Sequence, residues 1–157
     1  MKLTGKDYTI KVSGATPLGL VLISFELLFD SLHDAIDNAD DIEIFTKNTS
    51  KAKAVIAELI LSLDMSLDIS YELMRLYLYV NKLIIDSAYG CEVKKLDESI
   101  MILRTIYDGF VAISHIESET EGKSELDVYG RTKVVSGLSY DRRGNLVDYY
   151  DEGRDYK

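Results

Sequence analysis

The stretch that decides the fold is Ile69–Ala88, ISYELMRLYLYVNKLIIDSA. Apolar residues recur in alternating steps of four and three, the spacing of one helix face; they are Ile69, Leu73, Leu76, Val80 and Leu83. Further apolar and aromatic residues, including Tyr71, Leu78 and Ile85, lie off that face. A helix that is apolar nearly all round must be covered on several sides. The pattern therefore predicts a helix that is covered by its own chain or partly by a second chain.

Three further amphipathic helices are predicted around this one. The first begins at Thr16 and Pro17, because a hydroxyl N-cap followed by proline is a typical helix start, and it extends to about Asn38. The second has one apolar face, formed by Ile42, Phe45, Thr49, Ala52, Ile56, Leu59 and Leu63. Tyr89-Gly90 ends the third helix, with glycine as the expected left-handed terminator. The fourth has its apolar face at Val93, Leu96, Ile100, Leu103, Tyr107, Phe110 and Ser114.

Short loops join these four helices, so their apolar faces can be buried together only between antiparallel neighbours. The predicted fold class is all-α, an antiparallel up-down four-helix bundle over residues 16–116. Residues 1–15 are predicted to be an extended segment, because Tyr8, Ile10 and Val12 alternate with polar residues; disorder is the alternative. Residues 117–157 are predicted to be a charged linker followed by a small β-hairpin appendage around residues 141–145, or a disordered tail. A hairpin needs a third strand, for which Tyr8–Val12 is the candidate.

Composition excludes several classes of protein. The 157 residues suffice for one domain with a real core, and the net charge of −9 disfavours a nucleic-acid partner. A single cysteine, Cys91, cannot form an internal disulfide, which fits a reducing cytoplasm. We find neither a secretory signal nor an uninterrupted apolar run of about 18 residues, so no membrane insertion is expected.

Catalytic and metal-binding patterns are weak. A carboxylate-bridged metal site in a helical bundle needs Glu-x-x-His on two helices, whereas this chain offers only Asp30-Ser31-Leu32-His33. With two histidines and no glycine-rich phosphate loop, we expect no catalytic residues, no metal and no cofactor. The expected role is therefore binding rather than catalysis. A carboxylate-bridged metalloenzyme and a helical-bundle adaptor or self-associating structural module remain the alternatives.

Four groups of motifs fall in order along the chain: Ala15-Thr16-Pro17 with Leu20-Val21-Leu22, SKAKAVIAEL at 50–59 with Leu63-Asp64, Leu76-Tyr77 with Tyr79-Val80 and Leu83, and Leu103-Arg104 with Phe110. In these motifs and their spacing, the chain from Ala15 to Ile113 resembles the FliS family of flagellar export chaperones. The chain departs from the family at Phe25-Glu26-Leu27, where Tyr-Asp-Gly is usual. This departure concerns the identity of the client rather than the class of activity.

The resemblance implies a cytoplasmic, non-enzymatic chaperone that binds the C-terminal helical segments of flagellin in hydrophobic grooves. Such a chaperone prevents premature polymerisation and aids delivery to the gate of the flagellar type III export apparatus. We expect the groove to be lined by apolar residues of the second and third predicted helices, namely Ile56, Leu59, Leu63, Leu73, Leu76, Tyr77, Val80 and Leu83. We expect the N-terminal segment, through Tyr8 and Ile10, to cover a groove when the client is absent.

Overall fold

The computed structural model describes the backbone of residues 5–130 and of three short strands, and the side chains of residues 8, 9 and 11–120. Residues 5–130 form five helices: α1 (Gly5–Ser13), α2 (Pro17–Asp37), α3 (Ile42–Leu61), α4 (Asp68–Ala88) and α5 (Val93–Gly130). The four helices predicted from sequence correspond to α2–α5. The all-α prediction is confirmed for the body of the chain.

Two of these helices begin at a side-chain N-cap, and both N-cap residues, Thr16 and Asp41, are of types that favour this position. The Thr16 hydroxyl accepts a hydrogen bond from the Gly19 N–H at 3.0 Å, and proline occupies the first helical position of α2. At the start of α3, Asp41 Oδ1 accepts from the N–H groups of Glu43 and Ile44, both at 3.1 Å. These bonds satisfy amides that have no partner within the first helical turn.

Helices α2–α5 share one hydrophobic core. Helix α3 packs against α2 and α4, while α5 meets α2 through Tyr107 and Phe25 and meets α4 through Tyr79 and Glu98. The centre of the core is aromatic, because the Phe25 ring lies 5.9–6.3 Å from four others, those of Phe29, Tyr77, Tyr107 and Phe110. Tilted rings at this separation attract one another in addition to the area they bury.

Two helix predictions are corrected by the structure. The predicted extended segment at Tyr8–Val12 is instead part of α1, which packs against α2 and has side-chain partners there. Helix α5 continues to Gly130 through residues that were predicted to be a linker. Those residues include four glutamates and no proline, and the helix continues through the single interior glycine, Gly122.

The end of α4 also differs from the prediction. The residue with positive φ is Cys91, at 51°, and not Gly90. The N–H of Glu92 donates a hydrogen bond to the Ser87 carbonyl at 3.0 Å. This bond satisfies a carbonyl that would otherwise be unpaired at the helix end. A non-glycine residue in this left-handed region is strained by about 1 kcal/mol.

The chain divides into two compact units, Met1–Val111 and Ala112–Lys157. The second unit contains β1 (Val134–Val135), β2 (Leu138–Tyr140) and β3 (Leu146–Val147), which pair antiparallel in the order β1-β2-β3. Residues 141–145, where the hairpin turn was predicted, lie outside the described residues. The third strand predicted at Tyr8–Val12 is wrong, because that segment is helical.

One helix among the described residues is long and apolar enough, by length and composition, to cross a membrane; it is Val93–Thr120 of α5. Arg104 and Asp108 are two of the eight Lys, Arg, Asp and Glu residues in this range. A mostly buried core helix of a soluble protein meets the same criterion; α5 contributes Leu96 and Leu103 to the shared core, and 11% of its apolar window is buried. The stretch is therefore weak support for membrane insertion.

Candidate functional site

Helix α4 buries a face that is shifted from the predicted one. The residues toward the core follow steps of three and four: Ser70, Leu73, Tyr77, Val80, Ile84 and Ser87. Leu83 of the predicted face is buried as well. The shift is possible because the two serines are small and satisfied locally. The Ser70 hydroxyl donates to the Asp64 carbonyl at 2.6 Å, and the Ser87 hydroxyl donates to the Ile84 carbonyl at 2.7 Å. Sequence reasoning missed this register because it followed apolar residues alone, and Ser70 and Ser87 are not apolar.

The shift leaves a different apolar face of α4 in solvent. We call it the outer face of α4, defined by Leu67, Tyr71, Leu78 and Ile85. Spacings of seven residues place Tyr71, Leu78 and Ile85 on one side of the helix, and Leu67 is the N-cap residue that precedes its first turn. Tyr71 is 48% exposed and Leu78 is 52% exposed. Ile69, Leu76 and Tyr79 are also exposed, on other sides of α4, so the surplus of apolar surface expected from the sequence is present on this helix.

The predicted groove residues are distributed unevenly between core and surface. Five of the eight are buried in the core, with at most 7% of the side chain exposed: Ile56, Leu59, Tyr77, Val80 and Leu83. Leu63 and Leu73 are half-buried against that core, and Leu76 is exposed. The five buried residues offer no surface to a partner in this conformation, because their neighbours in the chain already cover them. We therefore assign them to the core and place the candidate site on the outer face of α4.

Helix α1 is attached to α2 by two polar contacts. The Tyr8 hydroxyl donates to Asp30 Oδ2 at 2.6 Å, and the Lys11 ammonium pairs with the Glu26 carboxylate. Burial and the hydrogen bond to Asp30 raise the pKa of Tyr8 well above its usual range, so the hydroxyl stays protonated and remains a donor. Tyr8 thus covers part of α2 rather than α4, while the Ile10 side chain lies outside the described residues.

A cavity of about 450 Å³ opens beside Tyr8, and it is lined by Tyr8, Glu26, Phe29, Asp30, His33, Arg104 and Tyr107. The Arg104 guanidinium lies 4.3 Å from the centroid of the Phe29 ring, within cation–π distance. The Tyr107 ring meets Phe29 edge-on at 5.7 Å. The cavity is therefore lined by both charged and aromatic side chains. Sequence reasoning considered Asp30 only in the metal-binding context and gave no signal for its contact with Tyr8.

Metal chemistry has no support among the residues with described side chains, where no group of three His, Cys, Asp or Glu residues could hold an ion. Cys91 is a half-buried free thiol packed against the core. The described surface offers an apolar face on α4 and a docked N-terminal helix, α1.

Comparison with known proteins agrees with this reading. A search of curated proteins found no match. A protein-family model, Flagellar protein FliS, matches residues 4–117, a span that includes α1, α2, α3, α4 and most of the described part of α5. Because that match covers well over half of the 157 residues, the chain belongs to the FliS family of flagellar export chaperones.

Proposed function

We propose that this protein is a cytoplasmic, non-catalytic chaperone that binds the C-terminal helical region of flagellin. By covering apolar helix faces of newly made flagellin, it prevents premature polymerisation and presents the client to the gate of the flagellar type III export apparatus. The single observation that supports this proposal is the exposed outer face of α4, on a chain whose family accompanies flagellar proteins.

Physical chemistry favours a helical client for that face. Contiguous apolar surface on a soluble protein usually marks a binding site, and an amphipathic helix is a natural occupant of a surface formed by helices. Charged residues, including Arg75 and Lys82, are interspersed with the apolar side chains of α4. They keep the free protein soluble and give the client polar contacts at the rim of its apolar stripe.

We propose that residues 16–116 form the antiparallel four-helix bundle that carries this site. The connections between α2, α3, α4 and α5 span four, six and four residues, at 38–41, 62–67 and 89–92. Connections this short favour antiparallel neighbours. The shared core of the four helices supports the same arrangement.

We further propose that α1 is the groove cap. In the absence of client it lies on α2 through Tyr8 and Lys11, and it gives way when a flagellin segment takes its place. The proposed chaperone thus has two client sites. The site on α4 is exposed in the free protein, and the site on α2 is covered by α1.

Calorimetric titration of the full chain tests the proposal, with synthetic peptides from the C-terminal helical region of flagellin from the same organism. We expect saturable binding of these peptides and none of a length-matched peptide from the N-terminal region. The chaperone should also delay the polymerisation of purified flagellin, as followed by light scattering. Equal binding of both peptides, or no binding of either, would remove the basis for the proposed role.

A further inference from the structure

The contact between α1 and α2 shows which chemistry the covered surface of α2 accepts. Tyr8 meets Asp30 and Lys11 meets Glu26, so the donors are three residues apart on α1 and the acceptors four apart on α2. The later donor meets the earlier acceptor, so the two helices run in opposite directions along this contact. One hydroxyl and one ammonium therefore lie on a single face of α1, matched to two carboxylates on a single face of α2.

In the described part of the cavity, Tyr8 donates to Asp30 and Lys11 pairs with Glu26. Both carboxylates are half-buried and line the cavity of about 450 Å³ beside Tyr8. Arg104 lines the same cavity, but its guanidinium is stacked on Phe29 and is in ion-pair range of neither Asp30 nor Glu26 among the described residues. His33 also lines the cavity and is exposed. Tyr107 lines the cavity as well. In this structure the two carboxylates take the donors Tyr8 and Lys11 from α1, the helix that covers them.

We propose that Asp30 and Glu26 select the client, which binds them through a hydroxyl or amide donor and a Lys or Arg spaced three or four residues apart on one helix face. This inference rests on the proposed function, since it identifies the chemistry of the flagellin segment that displaces α1. The segment reproduces the two contacts of Tyr8 and Lys11 and continues with apolar residues across the bundle.

The two carboxylates select their client because a segment without matching donors would leave them buried and unpaired. A carboxylate that loses water and gains no donor is unfavourable, because its desolvation is uncompensated. A segment with Asp or Glu at these positions would in addition be repelled by both carboxylates. Apolar burial alone fixes neither the register nor the direction of a docked helix, whereas two charge-matched contacts fix both.

The test uses full-length variants and the C-terminal flagellin peptide, with affinity measured by calorimetry. The double variant Tyr8→Phe/Lys11→Ala removes the donors of α1 and leaves both acceptors free for the peptide. Into this background we introduce Asp30→Ala, Glu26→Ala or, as a matched control, Asp37→Ala, which removes an exposed carboxylate of the same helix. Circular dichroism and thermal melts confirm that each variant is folded.

We expect the background variant to bind the peptide more tightly than the natural sequence, because α1 competes less well. Asp30→Ala and Glu26→Ala should each weaken binding in that background by about three- to tenfold, and Asp37→Ala by less than about twofold. If all three substitutions act alike while the peptide still binds, the selection is refuted and the proposed function stands. If no variant binds the peptide, both are refuted.

Discussion

At the residue scale, Tyr77 shows how burial changes the chemistry of one side chain. Its ring is 1% exposed and lies in the aromatic centre of the core beside Phe25. Burial raises the pKa of Tyr77 to about 12, because the phenolate form would lose its hydration. A position that the sequence assigned to the client groove is therefore a core position whose neutral form the fold requires.

This shift predicts a loss of stability at alkaline pH. In the unfolded chain the Tyr77 phenol ionises near its ordinary pKa of about 10, whereas in the folded chain it keeps its proton to about 12. Its contribution is complete below pH 10 and is lost between pH 10 and 12, amounting to roughly 2–3 kcal/mol. Urea denaturation at a series of pH values measures it. Tyr77→Phe is the control, and an equally steep decline in that variant would contradict the assignment.

At the element scale, α4 has two faces that the sequence alone did not separate. Ser70 and Ser87 lie on the buried face, while Leu78 and Tyr71 lie on the exposed one. A prediction from hydrophobic periodicity considers only apolar residues, so it selects the most regular apolar stripe as the buried face. When several faces of a helix are apolar, only the positions of the neighbouring helices decide which is covered.

Paired substitutions on α4 separate binding from folding. Leu78→Glu places a charge on the outer face, so it should change the free energy of unfolding by less than about 0.5 kcal/mol. It should weaken peptide binding by about tenfold or more, because it buries a charge under the client. Val80→Glu, which is directed into the core, should cost more than about 3 kcal/mol of stability. A folded Leu78→Glu variant with full affinity would exclude the outer face as the client site.

The start of α3 gives a second prediction at this scale. Asp41 caps two amides, and its carboxylate lies at the positive end of the helix dipole. Asp41→Ala should therefore lower the free energy of unfolding by about 1 kcal/mol. The neighbouring Asp40→Ala removes the same charge without removing a cap, and it should have a smaller effect in the same chemical denaturation experiment. If the two substitutions lowered the free energy of unfolding equally, the loss would come from the removed charge and not from the cap.

At the scale of the whole molecule, the chain combines a net charge of −9 with exposed apolar side chains on α4. The net charge favours solubility of the free protein, and the apolar surface is a candidate binding site. Helix α1 lies on α2 through the polar pairs Tyr8–Asp30 and Lys11–Glu26. Under the proposed function, this combination lets the protein bind an apolar helical client and stay dispersed in its absence.

Client binding should accordingly have the thermodynamic signature of apolar burial. We expect the enthalpy of binding the C-terminal flagellin peptide to become more negative with rising temperature, which corresponds to a negative heat-capacity change. Titrations at several temperatures between 10 and about 35 °C measure this slope. The Leu78→Glu variant should show a shallower slope wherever its binding is still measurable. A heat-capacity change near zero would mean that polar contacts, and not the outer face of α4, dominate binding.

Several features of this protein follow from the sequence by itself. The hydroxyl and proline at Thr16-Pro17, the apolar faces of four helices and the ordered motifs from Ala15 to Ile113 determine an all-α chain of the FliS family. These features are local, since a cap, a periodicity or a motif is complete within a few turns of chain. They could therefore be predicted before any helix was packed against another.

Only the tertiary structure decided which surfaces are buried and which are available. It moved Tyr77 and Val80 into the core, left Leu78 in solvent, and made a helix of Gly5–Ser13, which lies against Asp30 and Glu26 of α2. Each of these outcomes depends on contacts between residues that are distant in sequence. Burial and pairing are properties of neighbours brought together by folding, so no local pattern in the chain could specify them.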